Sequence, residues 1–162
     1  MHARQVLAGT AWLLHDTAAT RALESAALKT TPAHALMQRA GLACARLAMA
    51  LAPHARTVWV AAGPGNNGGD GMEAAMHLQR WGREVVVTCL GDPASAPADA
   101  AASRQRALQA GVAFADEVPA HWDLCVDALL GIGATRPPQG VMAQWIARMR
   151  ASASRRASSS SS

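Results

Sequence analysis

Residues 57 to 71 read TVWVAAGPGNNGGDG: an apolar run enters a glycine-rich turn and leaves it into Ala-, Leu- and Met-rich text of helical period. The order is strand, loop, helix. Gly63, Gly65 and Gly68 stand at G-x-G-x-x-G spacing with Gly69 and Gly71 close behind, so backbone can approach a ligand at several points. The first amides of the following helix, with the positive end of its dipole, suit a phosphate. An ordinary tight connection has the same spacing. Asn66, Asn67 and Asp70 add carboxamide and carboxylate oxygens that phosphate cradling does not need, and such donors suit hydroxyls or a hard cation.

Outward from this stretch, Thr57 to Ala62 is almost continuously apolar, as in a parallel strand covered on both faces. A helix from Gly68 to Trp81 follows and Gly82 closes it. Glu84 to Leu90, EVVVTCL, is a second strand that ends at Gly91-Asp92-Pro93 and completes a βαβ unit. Residues 91 to 98 read as a loop, 99 to 110 as a helix with Ala107 and Leu108 inward, and Val112 to Phe114 as a short third strand. Asp123 to Leu129, DLCVDAL, is a further strand, interrupted by Asp127 near its carboxyl end, and it empties into a second glycine loop from Gly131 to Pro137. The expected fold is α/β, a Rossmann-like three-layer α/β/α sandwich with a mostly parallel sheet. Ligands of such sheets bind beyond the carboxyl ends of the strands, so Asp127 and both glycine loops are expected to converge on one crevice.

Upstream, Asp16 or Thr17 caps a helix that runs to about Leu28 with Leu23 and Ala27 in an apolar stripe. Thr31-Pro32 is a cap and first-turn pair for a second helix, in which Leu36, Ala40, Ala43, Leu47 and Leu51 recur by threes and fours until Pro53 and predict the face that packs on the sheet. His34 and His54, near its ends, have no partner at metal-ligand spacing. A last helix from about Val141 to Met149 carries Trp145 and Met149 on one face. Residues 1 to 150 are expected to form one domain, followed by ASASRRASSSSS, a disordered serine-rich tail over residues 151 to 162.

The 162 residues, 51% of them apolar, suffice for one domain with a core. The net charge of +4 is spread over scattered arginines, with Lys29 the single lysine; there is no Tyr and one Phe, so the clustering and stacking that a nucleic-acid surface needs are missing. Cys44, Cys89 and Cys125 form no C-x-x-C pair and read as reduced, buried thiols. The apolar run Val6 to Leu14 is broken by Gly9 and Thr10, a poor signal peptide and too short for a membrane span, which predicts a soluble cytoplasmic protein. Four polar residues keep two readings each. Asp127 either bonds loop amides or serves a ligand or cation beside Asn67; Asp70 is either a ligand or a helix acid; Arg136 is either a phosphate partner or solvated; Asp92 either holds a ribose or makes a turn with Pro93.

Three motifs in this order, LMQRAG at Leu36 to Gly41, AAGPGNNGGDGMEAAMHL at Ala61 to Leu78 and VDALLGIGATRP at Val126 to Pro137, resemble the NAD(P)H-hydrate epimerase family, the YjeF N-terminal domain, over roughly residues 15 to 148. The resemblance implies an isomerase that interconverts the R and S forms of 6-hydroxylated NADH and NADPH, works beside an ADP- or ATP-dependent dehydratase and forms a homodimer. It further implies that Asn66, Asn67, Gly68, Gly69 and Asp70 line the hydrate site, that Asn67 and Asp127 hold a potassium ion, and that Gly131, Ile132, Gly133, Ala134, Thr135, Arg136 and Pro137 embrace the phosphates. Asp127 is the candidate catalytic residue. The family's sheet continues into a strand ending in D-x-P-S-G, where this sequence has its serine-rich tail, so an incomplete sheet and a weakened site are expected. The alternative is a non-catalytic nucleotide-binding remnant or interaction module of the same fold.

Overall fold

The computed structural model describes residues 14–159. The chain divides into two compact units, Met1–Thr31 and Pro32–Ser162. The first holds helix α1 (Thr17–Leu28), which opens as expected at Asp16: its Oδ1 accepts a hydrogen bond of 2.7 Å from the amide of Ala19. Apart from Leu14, the apolar run Val6 to Leu14 lies outside the described residues.

The second unit is built on four parallel strands, β1 (Thr57–Ala62), β2 (Glu84–Cys89), β3 (Ala113–Ala115) and β4 (Leu124–Ala128), in the spatial order β3-β2-β1-β4. Helices α2 (Ala35–Leu51), α3 (Asn66–Arg80), α4 (Ala98–Gln109) and α5 (Gly140–Ser159) accompany them, with a 3₁₀ turn at Pro93–Ser95. β1 is paired on both sides, Val60 with Val87 of β2 and with Val126 of β4. Its alternate residues serve two cores. Val58, Val60 and Ala62 pack with Val85, Val87, Ala45 of α2, Met72, Ala75 and Met76 of α3, and Ala100 and Ala107 of α4. Trp59 and Ala61 face the other way, towards Trp122, Leu129 and Trp145, with Met142, Ile146 and Met149 of α5 around them. The result is the three-layer α/β/α sandwich. Trp59 is fully buried, donates from Nε1 to Thr88 Oγ1 at 2.9 Å, and lies 4.8 Å from the Trp122 ring and 6.1 Å from Trp145.

The amino ends of β1 and β4 are clasped by Asp123. Its Oδ2 accepts from the amides of Arg56 (2.9 Å) and Thr57 (3.0 Å) and from Thr57 Oγ1 (3.1 Å), while its own amide donates to the Thr57 carbonyl at 2.8 Å. These amides hold the carboxyl down at about 2. A second structural acid is Glu73 on α3, 1% exposed, whose carboxylate stands 3.1 Å from the Arg106 guanidinium of α4.

Several elements depart from the sequence expectations. Thr31-Pro32 makes a turn closed by Ala35 N to Pro32 O (3.1 Å), and α2 starts only at Ala35, with His34 left-handed at φ 64° before it. Its buried stripe is Met37, Gly41, Ala45 and Ala48, whereas Leu47 and Leu51 are 59% and 76% exposed. The reason is that α2 lies against α3: a side chain at Gly41 would run into Glu73 Cβ and stand 3.0 Å from the Asp70 carbonyl, so the small residues turn inward and the leucines outward. On α4 the inward residues are Ala100, Ser103 and Ala107, and Leu108 is partly exposed. α5 continues to Ser159 through the text expected to be disordered; Ala151, Ala153, Arg155, Arg156 and Ala157 are good helix formers, and lengthening an existing helix avoids the nucleation cost. Cys44 is exposed rather than buried, and Cys89 and Cys125 are half-buried. No helix of the described residues is long and apolar enough to cross a membrane.

Candidate functional site

The site lies where β1 and β4 end side by side. The amide of Gly63, the first residue after β1, donates to the Ala128 carbonyl at the end of β4 (2.9 Å), so the two glycine loops leave the sheet together. Gly63 presses against the Leu129 carbonyl and Gly68 against the Gly63 carbonyl; neither position has room for a Cβ. This close fit folds the first loop back on itself. It also starts α3 at Asn66, two residues earlier than the sequence suggested, with Gly65 in extended conformation at the cap.

Asn66, Asn67 and Gly68 therefore occupy the first turn of α3, whose opening helical bond runs from Gly69 N to the Gly65 carbonyl at 3.3 Å. No side chain caps that turn, which leaves amides and a positive dipole end facing the crevice. Asn66 is exposed, Asn67 and Asp70 are half-buried, and Gly68 and Gly69 are buried. Asn67 reaches across to the second loop: its Nδ2 donates to the Leu130 carbonyl at 3.1 Å, and its Cβ is the nearest atom to the open side of Gly131. Asp70 sits one turn into the helix, on the side of α2, where after burial its charge is what raises the Cys44 thiol.

Asp127 is exposed at the end of the edge strand β4, not sunk in an apolar strand as its neighbours suggested. Its Oδ1 accepts from the amide of Leu129 at 3.1 Å. The loop-amide partner is thus present, and Asp127 and Asn67 tie down consecutive residues, Leu129 and Leu130. Asp127 lines an open groove beside α5, with Cys125 next to it; burial, then Asp127, pushes the Cys125 thiol up to about 12. Gly131, Ile132, Gly133, Ala134, Thr135, Arg136 and Pro137 form an exposed loop with a turn from Ala134 N to Gly131 O at 3.1 Å. A smaller cavity, of ≈ 30 Å³, lies between the ends of β1 and β2 against Gly63, Pro64, Cys89, Gly91 and Arg104. Asp92 borders it, and its Oδ1 caps the 3₁₀ turn through Ala94 N at 2.9 Å, which is the turn reading of that residue. The single crevice of the sequence analysis is not what the cavities show: one lies between the ends of β1 and β2 and another beside Asp127, and neither is lined by Asn67.

Two side chains at the β4 end keep an oxygen that their bonds to Leu129 and Leu130 do not use. Asn67 uses its amide nitrogen on Leu130, which leaves its oxygen, and Asp127 uses one of two carboxylate oxygens on Leu129. Among the described residues there is no cluster of three or more His, Cys, Asp or Glu, so a transition metal finds no ligand set.

Residues 33–159 match the family model described as YjeF-related protein N-terminus. The chain belongs to that family. Among its YjeF-related relatives, the NAD(P)H-hydrate epimerase of Bordetella pertussis (strain Tohama I) is 45% identical over 107 residues, covering 65% of this chain and 47% of that one. The NAD(P)H-hydrate epimerase of Rhodopirellula baltica is 38% identical over 129 residues, covering 75% and 52%. A bifunctional NAD(P)H-hydrate repair enzyme of Thermofilum pendens is 39% identical over 116 residues, covering 65% and 22%. The chain spans about half the length of the curated epimerases it matches. The solved structure of yeast ynu0 superposes with a TM-score of 0.61 at 24% identity, over 78% of this chain and 60% of that one, and shares the fold.

Proposed function

We propose that the protein is an NAD(P)H-hydrate epimerase, an isomerase that interconverts the R and S forms of 6-hydroxylated NADH and NADPH. The observation that carries the reading is the bond by which Asn67 of the first glycine loop reaches the Leu130 carbonyl of the second, next to Leu129, whose amide Asp127 holds locally. It puts an uncapped helix turn, the Asn67 carboxamide and the Asp127 carboxylate at the mouth of one strand pair, within the residues 33–159 that match the family model. The open amides of Asn66, Asn67 and Gly68 bind substrate oxygens, and the 131–137 loop takes the phosphates, with Arg136 as their countercharge.

In the reaction the bond from C6 to its hydroxyl oxygen breaks with acid assistance, water leaves, and the ring-nitrogen lone pair forms the iminium. Water then adds to the opposite face and gives up a proton. Asp127, steadied by Leu129 N, orients the returning water through its second oxygen. Potassium held by Asn67 and Asp127 would supply electrostatic positioning of that carboxylate. We place the reaction in the cytoplasm, in a homodimer, ahead of a dehydratase that consumes the S form; the bifunctional Thermofilum relative supports that coupling. Asp127→Asn should lower the catalysed appearance of S from R by about 10²-fold or more with circular dichroism unchanged. An unaltered rate would remove Asp127 from the mechanism, and failure of the unmutated protein to exceed the spontaneous rate would leave a nucleotide-binding module.

A further inference from the structure

The cavity of ≈ 30 Å³ between the ends of β1 and β2 lies on the opposite side of β1 from β4 and is lined by neither Asn67 nor Asp127. It has room for more than one water, and it opens at the carboxyl ends of parallel strands, where such sheets take ligands. Its walls are mostly apolar, with Met72, Leu90, Ala96 and Ala100, and the cation among them is Arg104 of α4. Arg104 is half-buried, and its Nε is buried without a hydrogen bond. The Phe114 ring of β3 lies 4.8 Å from Cζ and covers one face of the guanidinium, but a stacked ring does not answer the N–H groups in the guanidinium plane. Among the described residues no hydrogen bond or ion pair engages that guanidinium. Arg83, whose buried Nε is likewise unbonded, gives its Nη2 to the Pro53 carbonyl at 3.2 Å. A buried N–H of a cation costs free energy when it faces a cavity that holds no acceptor.

We propose that this cavity binds a small monocarboxylate, with its carboxylate on the Arg104 guanidinium and its alkyl end among Met72, Leu90 and Ala96. The planar fork of a guanidinium matches a carboxylate, and the apolar wall suits a short hydrocarbon rather than a hydrated ion. Two other groups narrow the choice. Cys89 lines the same cavity, where burial raises its thiol more than Arg104 lowers it, so at neutral pH it is no rival anion. Asp92 stands exposed at the rim with one oxygen on the Ala94 amide, and its charge works against a doubly charged guest. The occupant lies against Gly63 and Pro64, where the first glycine loop leaves β1, and a side chain at Gly91 would stand 2.9 Å from Pro64 Cβ, so the two loops close on each other there. The site shares no residue with Asn67 or Asp127 and does not depend on the epimerase reading.

Titration of the ¹⁵N-labelled full chain with sodium acetate, followed by NMR, tests it, with Arg104→Gln titrated in parallel. The Arg104 Nε–H and Gly91 amide signals should shift and saturate, half-way at about 1–10 mM for a ligand of so few atoms. In Arg104→Gln the saturable shift at Gly91 should disappear. The unmutated chain carries its own control in the amides of β4, none of which lines the cavity, so the test stands even where the variant fails to fold. Chloride and sulfate should need about tenfold higher concentration than acetate. A shift that stays linear in acetate, one shared by the β4 amides, or one that survives in Arg104→Gln overturns the proposal. Tighter saturation by chloride or by sulfate overturns the carboxylate assignment.

Discussion

Asp123→Asn isolates the clasp between the starts of β1 and β4. Asn keeps an oxygen that can accept from Arg56 and Thr57 but removes the charge. The carboxyl is held at about 2 against an ordinary 3.8, first by the Thr57 amide and then by that of Arg56. A difference of that size corresponds to about 2.4 kcal/mol at ~1.36 kcal/mol per decade. The side chain is 34% exposed, so water competes with the amides and about 1 kcal/mol is the expected net loss. Because the folded carboxyl is the stronger acid, its contribution is complete above the unfolded value of 3.8 and is lost as pH falls through about 2. Urea unfolding followed by tryptophan fluorescence should place the variant about 1 kcal/mol below the unmutated protein above about pH 5, with the gap shrinking steadily as pH falls towards about 2 and vanishing only below it. A gap that stays constant across that range, or no gap at neutral pH, would show that the charge of Asp123 does not hold the strands.

The buried Glu73–Arg106 pair gives a second test: Arg106→Leu strands a carboxylate and should cost about 2–3 kcal/mol, less than a fully buried pair because Arg106 is 33% exposed, while Glu73→Leu with Arg106→Leu should recover most of it in urea unfolding. Gly68→Ala puts a methyl group where the Gly63 carbonyl stands and should lower the melting temperature by about 4–8 °C, for a loss of about 2 kcal/mol. With a thiol-specific disulfide reagent at neutral pH, exposed Cys44 should react first and Cys125, pushed up to about 12, last; equal rates would contradict the burial of Cys125.

What the sequence made legible is what local chemistry controls. The run from Thr57 through Gly71 announces a strand, a turn and a helix because continuous apolar text, glycines and a helical period follow one another within a few residues, and EVVVTCL announces β2 for the same reason. The start of α3 was less legible: Asn66 and Asn67 look like loop residues, and only the contact of Gly68 with Gly63 and of Gly63 with Leu129 pulls them into the helix. The face of α2 was misread because leucines normally turn inward, whereas the close approach of α3 admits only Gly41, Ala45 and Ala48 there. Asp123 and Glu73 carry no local mark, since their partners lie in other elements, Thr57 across the sheet and Arg106 on the next helix. Asp127 was legible as an acid at a strand end, but not its exposure, which goes with β4 being the outer strand among the described residues, a property of the strand order.

The most direct test of the epimerase reading is the appearance of the S hydrate from purified R hydrate, measured above the spontaneous rate with this chain in potassium and in sodium. Acceleration that is larger in potassium is the predicted result. No acceleration in either salt, from protein shown by circular dichroism and sedimentation to be folded and homogeneous, would contradict it.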